Sequence, residues 1–205
     1  MLIGLISFIS LGSHTMLQAQ ESQSSTFELN IHAGITAGQV QGDGLSGFNK
    51  LGFLAGLGIT TEFSEEWGAG FELNFIQKGS VKRTNAEAGD YTEYKMLLNY
   101  IQVPIYATYQ VNSKFGFIGG PAVGILISNK EEDMYGEITG TPEFEKVELA
   151  LVLGASYAFS EKWSAHIKHD QSLLPIRSKG DYSSNTLKGK QYNMLLSLSI
   201  SYSLR

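Results

Sequence analysis

Apolar and polar residues alternate without a break at the C-terminal end of the chain. Tyr192, Met194, Leu196, Leu198, Ile200, Tyr202 and Leu204 form one row, and Asn193, Leu195, Ser197, Ser199, Ser201 and Ser203 form the other. Successive side chains of a β-strand point to opposite faces. One face is therefore apolar with tyrosines near both ends, and the other is mostly serine. A strand of a soluble sandwich turns Lys, Glu and Thr to water, whereas a row of small hydroxyls suits a crowded interior. An apolar outer band with aromatic ends and a polar inside is the pattern of a transmembrane β-barrel strand.

The same period of two recurs along the chain. It predicts strands over 27–40, 50–63, 67–78, 94–110, 115–127, 147–159 and 163–171, with the C-terminal strand as the eighth. In each, one row is rich in Leu, Ile, Val, Phe and Ala, and the other in Gly, Ser, Thr and scattered charges. Most segments reach the roughly ten residues that a tilted strand needs to cross a bilayer. The expected fold is all-β, an eight-stranded antiparallel up-and-down transmembrane β-barrel over residues 27–205.

The connections alternate in length. Residues 64–66, 111–114 and 160–162 are tight polar turns, whereas 41–49, 79–93, 128–146 and 173–191 are long and polar. Outer-membrane barrels carry short periplasmic turns and longer extracellular loops. An even strand count with both termini at the short-turn end places both mature termini in the periplasm and four long loops outside. Phe63 and Trp67, Tyr109 and Phe115, and Phe159 and Trp163 bracket the three tight turns and form an aromatic girdle there.

Composition agrees with this pattern. The chain has 205 residues, enough for one domain, and only 42% are hydrophobic. A barrel hides its membrane character in this way, because only every second residue faces lipid. Cysteine is absent, which excludes disulfides, a thiol nucleophile and a lipobox. A net charge of −5 argues against a nucleic-acid partner. Met1 to Leu11 is a nearly continuous apolar run, followed by more polar residues and then Leu17-Gln18-Ala19-Gln20. This describes a secretory signal peptide over 1–19 and a polar leader over 20–26, although no basic residue precedes the apolar run.

Several local motifs add to the pattern. Asn99-Tyr100-Ile101-Gln102-Val103-Pro104-Ile105 lies in the fourth strand and Gly119-Gly120-Pro121 in the fifth. Gln77-Lys78-Gly79 follows the Glu72 region, and Ser201-Tyr202-Ser203-Leu204 lies near the end. In their order and spacing the chain resembles the small outer-membrane β-barrel family of Bacteroidota that includes the PorT-like proteins. The resemblance covers nearly the whole mature chain. It implies an eight-stranded barrel in the outer membrane, often without a known molecular activity. Such barrels commonly finish on an aromatic residue, and this chain departs from that with Leu204-Arg205.

The candidate chemistry lies on the inward rows: Glu72, Gln102, Glu148, His166, Lys168 and Asp170. An eight-stranded barrel is just wide enough for side chains to fill it. Buried charges must pair, so these residues are expected to form a structural polar network, with Glu148 meeting Lys168 between adjacent strands and Glu72 reaching across the narrow lumen. The other reading is a proton or substrate path, or a catalytic group. Ser164, His166 and Asp170 share one strand face, whereas a triad converges from different elements. His14, His32, His166 and His169 show no metal-ligand spacing. Glu131-Glu132-Asp133 is an acidic run in an expected loop, read as solvated rather than as a cation site. Pro104 removes a ladder donor and predicts a bulge or bend there. No phosphate-binding loop is present, since the Gly-x-x-x-Gly spacings lie in strands and lack the Lys-Ser/Thr. No catalytic residue, metal or cofactor is therefore assigned.

The expected function is that of a non-enzymatic outer-membrane barrel, serving envelope structure, surface interaction or assembly of a secretion or envelope machine. Its partners would be outer-membrane lipid, lipopolysaccharide and envelope proteins. An outer-leaflet enzyme acting on lipids or peptides is the alternative. A secreted lipocalin-like barrel ranks third, because its apolar rows would have to face inward.

Overall fold

The computed structural model describes residues 27–84, 87, 89–177 and 190–204. The expected signal peptide and leader, and the chain-terminal Arg205, lie outside the described residues. Among the described residues nine strands follow in chain order: β1 Phe27–Gln41, β2 Lys50–Glu62, β3 Trp67–Lys82, β4 Tyr94–Gln110, β5 Phe115–Asp133, β6 Gly136–Glu137, β7 Val147–Ala158, β8 Trp163–Ser172 and β9 Tyr192–Ser203. β6 is a two-residue extension paired only to the end of β5. The other eight form the wall. Each pairs antiparallel with its neighbours in the order β4-β3-β2-β1-β9-β8-β7-β5, and β4 pairs with β5 to close the ring.

The chain is therefore a closed eight-stranded antiparallel β-barrel. Closure leaves no exposed sheet edge along the barrel, which a lipid environment requires of any sheet. Among the described residues no helix is long and apolar enough to cross a membrane. The alternation sorts side chains cleanly between outside and inside. On β9, Leu198 is 51% exposed while Ser197 is 5% exposed. Ile35, Phe53, Leu73, Ile105, Val123 and Leu153 are likewise exposed on the outer wall. At the short-turn end Trp67 stacks on Tyr109 and Trp163 on Tyr202, with ring centroids 4.9 and 4.8 Å apart. The register places the start of β1 and the end of β9 at this same end, since Phe27 pairs with Thr61 and Asn30 with Ser203.

Two expectations about the loops need correction. β3 extends to Lys82 and β5 to Asp133, so part of each expected loop is strand. The acidic run at residues 131–133 belongs to β5. The ladder between β4 and β5 also slips by one residue at Asn99/Tyr100: Asn99 faces Ser128 and Tyr100 faces Leu126. The bulge thus sits at Ile127 and not at Pro104, where the register is continuous. An extra residue reverses the facing of everything beyond it. Glu131 consequently points inward and is 5% exposed.

Because Leu198 sits on the outer face midway along β9, Leu198→Arg should destabilise the barrel by about 2–4 kcal/mol if it lies near the bilayer midplane. Urea unfolding of protein refolded into lipid vesicles measures this, and Ser197→Thr on the inner face serves as the matched control.

Candidate functional site

The interior is built in three layers. Near the short-turn end, Lys168 on β8 reaches Glu72 on β3, with Nζ 2.5 Å from Oε1. Tyr106 donates to the same carboxylate oxygen at 2.7 Å, and Asn74 Nδ2 donates to Oε2 at 2.9 Å. His32 Nε2 lies 2.6 Å from Asn74 Oδ1 and 3.8 Å from Glu72 Oε2. The ring of Tyr106 fills the space beside Gly70, where a β-carbon would fall 2.3 Å from it.

The middle layer centres on Lys78 of β3, which is 1% exposed. Its ammonium lies 2.7 Å from Glu148 Oε2 and 3.5 Å from Asp170 Oδ2. Gln102 donates to Asp170 at 3.0 Å, and Asn193 donates to Glu148 at 2.9 Å. Ser172 also donates to Glu148. Lys78 and Lys168 stand over the rings of Tyr100 and Tyr106, at 5.5 and 5.2 Å from the centroids. Two ammoniums thus face three carboxylates, with neutral donors completing the shells. A buried carboxylate left without such partners would be costly.

The third layer, at the loop end, is apolar. Val40, Leu54, Ile76, Met96, Leu98 and Leu195 line it, and Phe144 and Ile176 enter it from the loops after β6 and β8. The lumen is therefore not polar throughout. Over this plug Arg177 grips Glu131 through two bonds, at 3.0 and 2.5 Å, and lies 3.6 Å from the centre of the Phe144 ring. Tyr94 and Thr141 donate to the same carboxylate. The solvated acidic loop expected at 131–133 is replaced, at Glu131, by a buried ion pair. Outside the wall, Lys82 beside Asp90 holds that carboxyl well below its usual range. Burial pushes the Asp43 carboxyl upward.

All six residues singled out from the sequence line the interior, but their pairing differs from the expected one. Lys168 meets Glu72, and Glu148 meets Lys78. Strand adjacency suggested the other match. In a narrow barrel, however, a long side chain spans the lumen, and β8 and β3 face each other across it. Gln102 joins Asp170. His166 bonds Ser164 at 2.9 Å, while Asp170 belongs to the Lys78 layer. The Ser-His-Asp set is thus not assembled. Lys78, His32, Asn74, Tyr100, Tyr106, Ser172 and Asn193 were not singled out. Lys78 was detectable, since it shares the even row with Glu72, and His32 likewise shares the row of Asn30. The Glu131–Arg177 pair was not, because it depends on the bulge. Among the described residues, no group of three or more His, Asp or Glu side chains is placed to hold a metal ion.

Replacing Lys168 by Met strands Glu72 and should cost about 3–5 kcal/mol. The Lys168→Met/Glu72→Gln double variant should cost clearly less than the sum of its singles, while Lys168→Met/Glu148→Gln should be nearly additive. Double-mutant cycles on urea unfolding in lipid decide between the two pairings.

Comparison with known proteins follows the same architecture. Ail, the attachment invasion locus protein of Yersinia pestis, in its complex with the heparin analogue sucrose octasulfate, is 16% identical; the match covers 87% of this chain and 99% of Ail, with a TM-score of 0.51. OprG of Pseudomonas aeruginosa is 14% identical over 88% of this chain and 97% of its own, with a TM-score of 0.45. AlkL in lipid bilayers is 11% identical over 100% of this chain and 97% of its own, with a TM-score of 0.47. No curated protein sequence matches the chain. The sequence profile described as the outer membrane protein beta-barrel domain matches residues 18–178. That span is most of the chain. The chain belongs to the outer membrane protein beta-barrel domain family.

Proposed function

We propose that this protein is a non-enzymatic, solid-cored barrel of the outer membrane, with its long loops outside and both mature termini in the periplasm. It serves as a scaffold for surface or envelope interactions rather than as a conduit. The observation that carries this reading is the stacking of two charged layers under an apolar plug. Lys168–Glu72 and Lys78–Glu148–Asp170 cross the lumen at successive levels, and Phe144 and Ile176 fill the space above. A solute would have to break each layer in turn.

The scaffold reading extends to the PorT-like role suggested by the motifs in β4 and β5, that of helping a secretion or envelope machine assemble. An outer-leaflet enzyme is less favoured. Asp170 is committed to Lys78 and Gln102, and Ser164 is hydrogen-bonded to His166 of its own strand.

The folded protein in planar bilayers should show no stable porin-sized conductance, and stable conductance of that size would reject the solid core. Orientation is tested in whole cells with single cysteines at Tyr135 and Lys114, using a membrane-impermeant maleimide. Tyr135 should label and Lys114 should not.

A further inference from the structure

One ladder of the wall ends early. The ladder between β2 and β3 stops at Leu54–Ile76, although β2 continues to Lys50 and β3 to Lys82. Residues 50–53 and 77–82 lose ladder pairing there but stay in contact: a β-carbon on inward-facing Gly52 would fall 2.9 Å from the Gln77 β-carbon, so β3 passes along the lumen side of β2. It packs there against β1 as well. Thr36 Oγ1 donates to the carbonyl of Gln77 at 2.9 Å, and Gly38 lies so close to Gly79 that a β-carbon on it would fall 2.7 Å from the Gly79 oxygen. Gly79 itself has φ +123°, a conformation that L side chains rarely adopt. Buried Lys50 donates to the carbonyl of Leu51 at 2.7 Å. Backbone carbonyls that lost ladder partners are thus served by side chains.

Beside this offset lies a cleft whose walls include Phe48, Leu51, Val81, Lys82 and Arg83. Its level is set by its surroundings. Just below, Phe53 and Phe75 stack with centroids 5.3 Å apart at the upper limit of the apolar wall. Beside it, Gln77 donates to Asn99 at 3.1 Å and Asn99 to Ser128 at 2.8 Å, a polar ladder across the outer faces of β3, β4 and β5. The cleft therefore lies where apolar wall gives way to polar surface. Its lining carries two cations, Lys82 and Arg83, and the apolar side chains of Phe48, Leu51 and Val81. An occupant that matches both must be an amphiphile with an anionic head. Arg83 presents a planar fork suited to phosphate oxygens, and Lys82 supplies a second charge.

We propose that this cleft binds the phosphate of an outer-leaflet glycolipid. Arg83 grips the phosphate and Lys82 turns to it from Asp90, which now holds it at 2.8 Å. The first methylenes of an acyl chain lie against Leu51, Phe48 and Val81. The lipid then lies against the outer side of the offset between β2 and β3. The proposal rests on the membrane reading above and names the lipid chemistry of one site.

The test uses the full mature chain refolded into phosphatidylcholine vesicles that contain lipid A in both leaflets, so that binding does not depend on which end faces outward. Protease protection in the same vesicles reports orientation separately. Folding of each variant is checked by heat-modifiability on a gel. Lipid A retained after detergent extraction is counted by native mass spectrometry. The Arg83→Gln/Lys82→Gln variant should retain roughly tenfold less, the effect of losing charge-assisted bonds. Asp90→Asn should retain more, and Lys114→Gln/Lys162→Gln at the short-turn end should match the parent. Equal retention by the Arg83/Lys82 variant, or equal loss in the Lys114/Lys162 variant, overturns the proposal. So does full retention of dephosphorylated lipid A, which would mean that the phosphate is not read. Displacement by millimolar inorganic phosphate alone would make this a free-phosphate site and also overturns it.

Discussion

Every backbone amide and carbonyl that faces lipid must find its partner within the protein, and the rest of this structure follows from that constraint. In hydrocarbon an unpaired backbone group costs several kcal/mol, so a sheet survives only when closed. Closure through β4–β5 meets the requirement around the ring. Where the ladder fails between β2 and β3, the response shows how strict the requirement is. A threonine hydroxyl and a lysine ammonium, both buried, take over two of the freed carbonyls.

Closing eight strands fixes a second constraint, the width of the lumen. It admits side chains and little else. What fills it differs by level. Toward the short turns the space is occupied by charged and amide groups that satisfy one another in rings. Toward the loops it is filled by aliphatic side chains, sealed by Phe144 and Ile176. The apolar plug behaves like the core of a small soluble domain enclosed by the wall. The Arg177–Glu131 pair, stacked on Phe144, ties a loop to β5 above it. The loop end is thus anchored from inside, and the loops project from a rigid base.

The outer wall carries the complementary information. Its apolar band ends at the short-turn side in paired Trp and Tyr rings, and at the loop side in the Gln77–Asn99–Ser128 ladder. A solid interior, a lipid-matched wall and anchored loops suit a protein that acts through its surfaces. The offset between the loop-side ends of β2 and β3 is a departure from an even wall, and the cationic cleft lies beside it.

The sequence by itself determined the strands, the sidedness of nearly every residue in them and the closed antiparallel ring. These follow from a period of two and from turn lengths, both local properties that survive without knowledge of any long-range contact. The same parity placed Glu72, Gln102, Glu148, His166, Lys168 and Asp170 on the inner face, and it could have added Lys78. Only the tertiary structure decided which charges meet. Strand order places β7 beside β8, but the reach of Lys168 across a narrow lumen selects Glu72 instead, and a distance across a closed ring is not encoded in adjacency. It also decided the facing of Glu131, because a single extra residue at Ile127 reverses the phase of β5. That bulge is a property of two strands in register, invisible in either alone. The apolar plug has the same origin. Val40, Leu98 and Leu195 read as ordinary members of inward rows, and only the curvature of the closed barrel gathers them under Phe144 and Ile176.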